Sequence, residues 1–169
     1  MKLWVFACRH LRNIKIGYDT RLWAVSVLDK RTSSNRWAKA QKMFPNSRGI
    51  IYSSTDRTFT MPFVTQDFPE DRIVDDVWPE AWEFPFSIFP LGSPNKLVSL
   101  ETAKWSWSIL DPDKNPTHCL NSMNGRTVFV PNEIEDEEWQ QILSDVGEVA
   151  DHFHLSMSLT RAHYSSGSV

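Results

Sequence analysis

The sequence contains no apolar run long enough to cross a bilayer, since a membrane-spanning helix needs about 20 predominantly apolar residues. Its first apolar run, LWVFAC at residues 3–8, is also too short for the apolar region of a secretory signal. We therefore expect a cytoplasmic protein that does not associate with a membrane.

Cysteine is scarce, since Cys8 and Cys119 are the only two in 169 residues. Two cysteines permit one disulfide and suit reduced intracellular thiols equally well. A chain of this length buries about two thirds of its unfolded surface without needing disulfides or metals. The composition predicts one globular domain over residues 1–155, followed by a flexible polar tail at residues 156–169.

Motifs of the common catalytic and metal sites are missing as well. The chain has no glycine-rich phosphate loop, no GxSxG turn and no HExxH pair. Cys8 and His10, together with His118 and Cys119, lack the spacing of structural zinc motifs. The acidic run at residues 133–138 fits a helix N-terminus, where the helix dipole favours negative charge. The sequence predicts no catalytic residue, no metal and no cofactor.

Tryptophan, by contrast, is abundant, with eight in the chain. Each brings a large flat face and one N–H donor that needs a partner when it is buried. Most of the eight are expected in the core, and the others are available to stack on a ligand.

The charges are distributed unevenly along the chain. Residues 1–60 hold 12 Lys and Arg against 3 Asp and Glu, a balance of +9, whereas residues 61–169 hold 6 against 18, a balance of −12. A basic N-terminal third suits a surface that faces phosphates. Charges that interleave on a solvated surface after folding are the alternative.

The hydrophobic pattern predicts a mixed structure with more strand than helix. Strands are predicted at residues 3–8, 22–28, 49–55, 57–68, 86–89 and 125–131. Helices are predicted from Ser33 or Ser34 to Met43, at 97–105 and at 135–153. The stretch NIKIGYDTRLWAVS at residues 13–26 is strand-like. This order favours an α+β protein in which a twisted sheet or open barrel has helices packed outside it.

Two details of the pattern make sharper predictions. In the hairpin at residues 49–68, alternation places Phe59, Met61 and Phe63 on one face, and Pro62 requires an edge strand or a bulge. In the last helix, Trp139 leads an apolar stripe that continues with Ile142, Leu143 and Val146 and predicts a core position for it.

A protein that reads one nucleobase needs two aromatic faces, polar groups for the base edge and cations outside for the backbone. Trp23 and Trp78 are candidates for the two faces, because each stands where a strand meets a loop. The alternative is a packed hydrophobic cluster beneath a loop.

Three separated stretches resemble the PUA-like superfamily, and specifically the EVE family and the related YTH domains. Asn13 precedes Trp23 by ten residues, as an Asn precedes a Trp in those families. The helix RWAKAQKM, which leads into GIIYSSTDRTF, matches the aromatic and Met spacing of the EVE helix at Trp37 and Met43. VWPEAWEFPFSIFPL and NGRTVFVPNEIEDEEWQQIL are similar to the family's aromatic loop and its closing strand and helix.

The resemblance implies a PUA-like open β-barrel of about five to six strands, and a non-catalytic domain that accommodates a flipped modified base in an aromatic cage. The implied base is a methylated cytosine or adenine in DNA or RNA, and the implied larger role is the sensing module of a restriction or defence effector. The implied base-binding residues are Trp23, Trp78, Asn13, Trp82, Cys8 and Ala24. The implied phosphate-binding residues are Arg9, Lys30, Arg31, Arg36, Lys39, Lys42 and Arg57.

Two other functions remain open from the sequence. The aromatic residues of the loop from Trp78 to Phe86 would suit a protein-interaction module that grips a peptide. A hydrolytic enzyme with a scattered site is the third alternative. Salt separates nucleic-acid binding from peptide binding, because binding to phosphates weakens steeply as the salt concentration rises and an aromatic peptide interface does not.

Overall fold

The computed structural model describes residues 1–114 and 117–148. The predicted tail lies outside these ranges. The elements in chain order are β1 (Lys2–Cys8), α1 (Leu11–Thr20), β2 (Leu22–Ser26), α2 (Lys30–Ala40), β3 (Arg48–Ser53), β4 (Thr58–Thr65), β5 (Ile73–Val74), β6 (Trp82–Pro90), β7 (Leu97–Ser99), α3 (Leu100–Ser106), α4 (Thr117–Met123), β8 (Pro131–Glu133) and α5 (Asp136–Val146).

One curled, mixed sheet organises the molecule. Its main path runs β2-β6-β4-β3-β1-β8, while the short strands β5 and β7 pair with β6 and β4. The β1–β3 pair is parallel and the other pairs are antiparallel. The helices pack outside this half-barrel, so the predicted α+β class, with helices around an open barrel, is confirmed.

The two faces of the sheet bury separate hydrophobic clusters, and β1 contributes to both because its side chains alternate. The C-terminal cluster packs beneath α3, α4 and α5 and includes Leu3, Val5, Ile50, Phe59, Trp107, Trp139 and Ile142. The second cluster, which we call the cavity cluster because it borders the cavity described below, packs beneath α1 and α2. It includes Phe6, Cys8, Ile14, Trp23, Phe63, Trp78 and Trp82. Trp139 is fully buried, as the apolar stripe of α5 predicts.

A bulge in β4 changes which face its side chains reach. The β3–β4 register shifts between Gly49 and Ile51, and Met61 adopts a φ of 48° just before Pro62. The predicted bulge at Pro62 is therefore confirmed. The prediction that Phe59 shares a face with Phe63 is wrong, because the extra residue reverses the alternation and leaves Phe59 in the C-terminal cluster.

Several element predictions need correction. The helix predicted at residues 97–105 begins only at Leu100, because residues 97–99 form β7. Residues 13–20 of the strand-like stretch are helical, because α1 runs to Thr20 and ends at Arg21, whose φ is 58°. Residues 125–130 form turns, and only β8 from Pro131 continues as a strand. The last helix ends at Val146, before Gly147.

The α2 helix begins earlier than its serines suggest. The Asp29 side chain accepts a hydrogen bond from the Thr32 amide, so Asp29 is the N-cap in place of Ser33 or Ser34. Asp29 is an effective N-cap because its carboxylate satisfies a backbone donor of the first turn.

Both cysteines are buried free thiols. Cys8 belongs to the cavity cluster and Cys119 to the C-terminal cluster, so the sheet separates them. Within the described ranges, no helix combines the length and the apolar character that a membrane span requires.

Candidate base-binding site

A cavity of about 460 Å³ opens beside the end of β1. Its walls come from the start of α1, from β2, from residues 80–82 and from the turn at residues 122–128. This volume falls within the roughly 300 to 1,000 Å³ that is typical of small-molecule sites. The cavity can therefore hold one nucleobase.

The turn from α1 into β2 brings Asn13 and Trp23 to the same cavity. The helix closes when the Arg21 amide donates to the Gly17 carbonyl, and β2 starts at the next residue. Gly17 lets the helix approach the indole, since a Cβ at this position would lie 2.7 Å from a ring carbon of Trp23. The ten-residue spacing between Asn13 and Trp23 thus corresponds to one helix followed by one strand.

Three tryptophans of the cavity cluster contact one another. Trp78 and Trp82 are stacked with ring centroids 4.5 Å apart, and Trp23 meets both rings edge to face at 6.3 and 5.5 Å. Trp23 and Trp82 line the cavity, whereas Trp78 lies behind Trp82. The rings that face the cavity are therefore Trp23 and Trp82.

A hydrogen-bond network connects these rings to Asn13. The Asn13 Nδ2 atom donates to Glu80 Oε1 at 2.7 Å, and Trp82 Nε1 donates to the same oxygen at 3.2 Å. Trp78 Nε1 donates to the Asn13 backbone carbonyl at 3.1 Å. Asn13 and Trp82 therefore hold their positions through one carboxylate oxygen.

Cys8 and Arg36 complete the polar surroundings of the cavity. Burial raises the pKa of Cys8 to about 11, and the nearby charge of Glu80 adds to the rise. The thiol is therefore neutral at pH 7 and donates to the His10 carbonyl. The Arg36 guanidinium donates to the Ser26 carbonyl at 2.7 Å and pairs with buried Glu83 at 3.6 Å. Burial lowers the Arg36 pKa, although Glu83 opposes this shift.

Solved structures with the same architecture are known. The YTH domain of the Zygosaccharomyces rouxii MRB1 protein, solved in complex with N6-methyladenosine RNA, matches with a TM-score of 0.56 at 11% identity and 88% coverage of each chain. The chain has a YTH-like fold. The predicted resemblance is confirmed at this level.

Two bacterial structures extend the comparison. Protein Atu2648 from Agrobacterium tumefaciens has a TM-score of 0.50 at 14% identity, over 89% of this chain and 96% of that one. Rpa0253 from Rhodopseudomonas palustris has a TM-score of 0.51 at 14% identity, over 91% and 99%. Neither a protein-family model nor a curated protein sequence matches the chain.

The YTH-like fold brings five of the six predicted base-binding residues to one cavity. They are Asn13, Trp23, Trp82, Cys8 and Ala24. The sixth, Trp78, supports the cavity from behind through its stacking on Trp82 and its hydrogen bond to Asn13.

The predicted phosphate-binding residues are spread more widely. Arg9 and Arg36 line the cavity, and Arg9 also lines an adjoining groove with His10, Arg12 and Thr55. Arg31, Lys39 and Lys42 are exposed on or just after α2, and Lys30 begins that helix. Arg57 lines neither the cavity nor this groove and pairs with Glu101 at 3.3 Å. Arg9 is therefore the candidate best placed to hold a phosphate at the cavity mouth.

Glu80 is the site residue that sequence reasoning missed. It lies between Pro79 and Ala81 in a segment without regular structure, so no periodicity marks it. Its role depends on the approach of α1 to this segment, 67 positions away in sequence. The one available signal is its place in WPEAW, between two of the tryptophans.

Proposed function

We propose that the protein is a non-catalytic nucleic-acid-binding domain that accepts one flipped, modified base in the cavity that Trp23 and Trp82 line. The observation that carries this proposal is the cavity of about 460 Å³, which two indole rings and the buried Asn13 line together. Indole faces stack on any base, and an amide supplies polar contacts to its edge.

The basic residues would supply affinity for the backbone. Arg9 and Arg12 are exposed at the groove beside the cavity, and the exposed cations of α2 lie on the basic N-terminal third. Contacts of this kind position a strand without reading its sequence. The YTH domain of the MRB1 protein, which was solved with N6-methyladenosine RNA, supports a nucleic acid as the partner.

Such a reader suits the sensing part of a modification-dependent restriction or defence effector. The peptide-binding alternative has weaker support, because Trp78, Trp82, Phe84 and Phe86 are all buried. A docking surface for a peptide needs exposed apolar groups.

A fluorescence-anisotropy titration tests the proposal. Matched single-stranded oligonucleotides, unmodified or with one methylcytosine or methyladenine, would be titrated with the wild type and with Trp82→Ala. Loss of one stacking face costs about 1 to 3 kcal/mol, so we expect the preferred oligonucleotide to bind roughly 5 to 150 times more weakly.

Trp105→Ala is the matched control, since this side chain is 91% exposed and lies far from the cavity wall residues in sequence. It should leave affinity unchanged. Equal binding of every oligonucleotide by the wild type and by Trp82→Ala would show that the cavity does not read a base.

A further inference from the structure

Glu80 has one carboxylate oxygen engaged and one free. Oε1 accepts hydrogen bonds from Asn13 Nδ2 and from Trp82 Nε1. Within residues 1–114 and 117–148, Oε2 has no hydrogen-bond partner, and Glu80 lines the cavity. Glu80 is an exposed residue, so Oε2 is a carboxylate acceptor at the cavity that solvent also reaches.

Asn13 supplies a second acceptor. Its side chain is 1% exposed and lines the cavity, and its Oδ1 has no hydrogen-bond partner among the residues described. A buried polar atom without a partner is rare in folded proteins and costs free energy.

The orientation of the Asn13 amide follows from chemistry. An ionised carboxylate only accepts hydrogen bonds, so the amide nitrogen must face Glu80 and the amide oxygen must face away. A flipped amide would place two acceptors 2.7 Å apart. The unpartnered atom of Asn13 is therefore an acceptor.

Two donor groups of the cavity wall have partners of their own within the protein. The Cys8 thiol donates to the His10 carbonyl, and the Arg36 guanidinium donates to the Ser26 carbonyl and pairs with Glu83. The polar atoms that Asn13 and Glu80 leave for a ligand thus require donors from the ligand.

We propose, on the basis of the function proposed above, that Asn13 and Glu80 select a base whose edge offers at least two N–H donors. The amino groups of cytosine and adenine each offer two, and the guanine edge offers its ring N–H and its amino group. N6-methyladenine keeps one N–H on its amino group, and thymine offers only its ring N–H. Thymine also turns carbonyl oxygens toward the carboxylate.

The sharpest test compares 5-methylcytosine with thymine, because the two bases share their ring shape and methyl group and differ in their donors. One oligonucleotide would carry 5-methylcytosine, thymine, guanine or N6-methyladenine at a single position. The wild type should bind the 5-methylcytosine form at least about tenfold more tightly than the thymine form, which is typical discrimination for a good base-edge contact. The guanine form shows whether a purine with at least two donors also fits.

In the Glu80→Gln variant, the affinities for the 5-methylcytosine form and the thymine form should differ by no more than about twofold. The amide oxygen can still accept from Asn13 and Trp82, but an NH₂ group replaces the free oxygen and can donate to the thymine carbonyl. Glu137→Gln, at an exposed position of α5, removes the same charge elsewhere and should leave the preference intact. Thermal unfolding checks that both variants are folded.

The outcomes separate this inference from the function on which it rests. If the wild type prefers one modified base but does not distinguish 5-methylcytosine from thymine, or prefers N6-methyladenine in a way that Glu80→Gln does not change, the donor requirement is wrong and the reader function stands. If the wild type binds none of the oligonucleotides, the reader function itself is wrong.

Discussion

The two hydrophobic clusters lie on opposite faces of one sheet and differ in the hydrogen-bond partners of their indole N–H groups. In the C-terminal cluster, Trp107 sends its N–H outward to Asp145 on α5 at 2.8 Å, and this bond links two elements. In the cavity cluster, the N–H groups of Trp78 and Trp82 go to Asn13 and Glu80, around the cavity. The same residue type thus ties elements together on one face and shapes a site on the other.

The two clusters show which tryptophans contribute to stability alone and which are also placed to bind a ligand. Trp139, on α5, is fully buried and does not line the cavity. Trp23 and Trp82 are nearly as buried but line the cavity wall. Burial alone does not separate the two roles. The position of each ring relative to the cavity does.

The largest expected effect comes from the C-terminal cluster. Trp139→Ala should lower the free energy of unfolding by about 3 to 5 kcal/mol, because it removes a large side chain from a closed core. Trp105→Ala is the control, since its 91% exposed side chain should cost no more than about 0.5 kcal/mol. Urea unfolding measures both, and similar costs would contradict the assignment of Trp139 to the core.

The two thiols sharpen the comparison between the clusters. Burial raises the pKa of Cys8 to about 11 and that of Cys119 to about 12, each from 9.0. At pH 8 the thiolate fraction should therefore fall about a hundredfold for Cys8 and a thousandfold for Cys119 relative to an unfolded thiol. Alkylation of the native protein should be slow and should reach Cys8 first, with mass spectrometry assigning the site.

Raised pKa values also set the sign of the pH effect on stability. The folded protein keeps both thiol protons above pH 9, where the unfolded chain loses them. The contribution of the two thiols to the free energy of unfolding therefore falls as the pH rises from about 9 toward 11 and 12.

A bound oligonucleotide should protect Cys8, which lines the cavity, from alkylation and leave the alkylation rate of Cys119 unchanged. Equal protection of both would mean that the ligand acts on the whole fold.

Substitutions of Trp78 and Trp82 separate the back of the cavity from its wall. Trp82→Ala removes a ring that faces the cavity, while Trp78→Ala removes the ring stacked behind it and its bond to Asn13. We expect Trp78→Ala to weaken oligonucleotide binding less than Trp82→Ala does, at a comparable loss of stability. Anisotropy titrations and thermal unfolding of both variants test this, and a greater binding loss in Trp78→Ala would make Trp78 the wall.

The smallest expected effect concerns the cavity mouth. Arg9→Ala should weaken binding to all oligonucleotides alike and reduce the slope of log K against log salt by about 1, because one phosphate contact is lost. Arg57→Ala should leave the slope unchanged, since Arg57 lines neither the cavity nor the adjoining groove and pairs with Glu101. Titrations at several salt concentrations measure both slopes. A selective loss for one base would mean that Arg9 reads the base instead of the backbone.

The sequence predicted those parts of the fold where periodicity is strong. Alternating apolar residues predicted the β3–β4 hairpin, and the apolar stripe led by Trp139 predicted α5. Pro62 marked the bulge in β4. The start of α1 carries weaker signals, since no side chain caps it at His10. Gly17 of this helix packs closely against Trp23, a contact that no local pattern shows.

The candidate site was predictable where aromatic residues mark it and not where loops assemble it. Trp23 was a candidate from its place where a strand meets a loop, whereas Asn13 and Trp82 became candidates through the resemblance to YTH domains. The order of Trp78 and Trp82 at the wall follows from how the segment before β6 folds over α1, and Glu80 acquires its role only through that contact. Side chains that meet across long sequence separations give no periodic signal.

The indole N–H signals of the eight tryptophans, followed by ¹H–¹⁵N NMR during a titration with the preferred modified oligonucleotide, test the central claim most directly. Each indole has one N–H, so each ring reports its own surroundings. The account predicts the largest shifts at Trp23 and Trp82, a smaller one at Trp78, and none at Trp107 and Trp139. Shifts confined to the exposed Trp105, or equal shifts in both clusters, would contradict the cavity as the base-binding site.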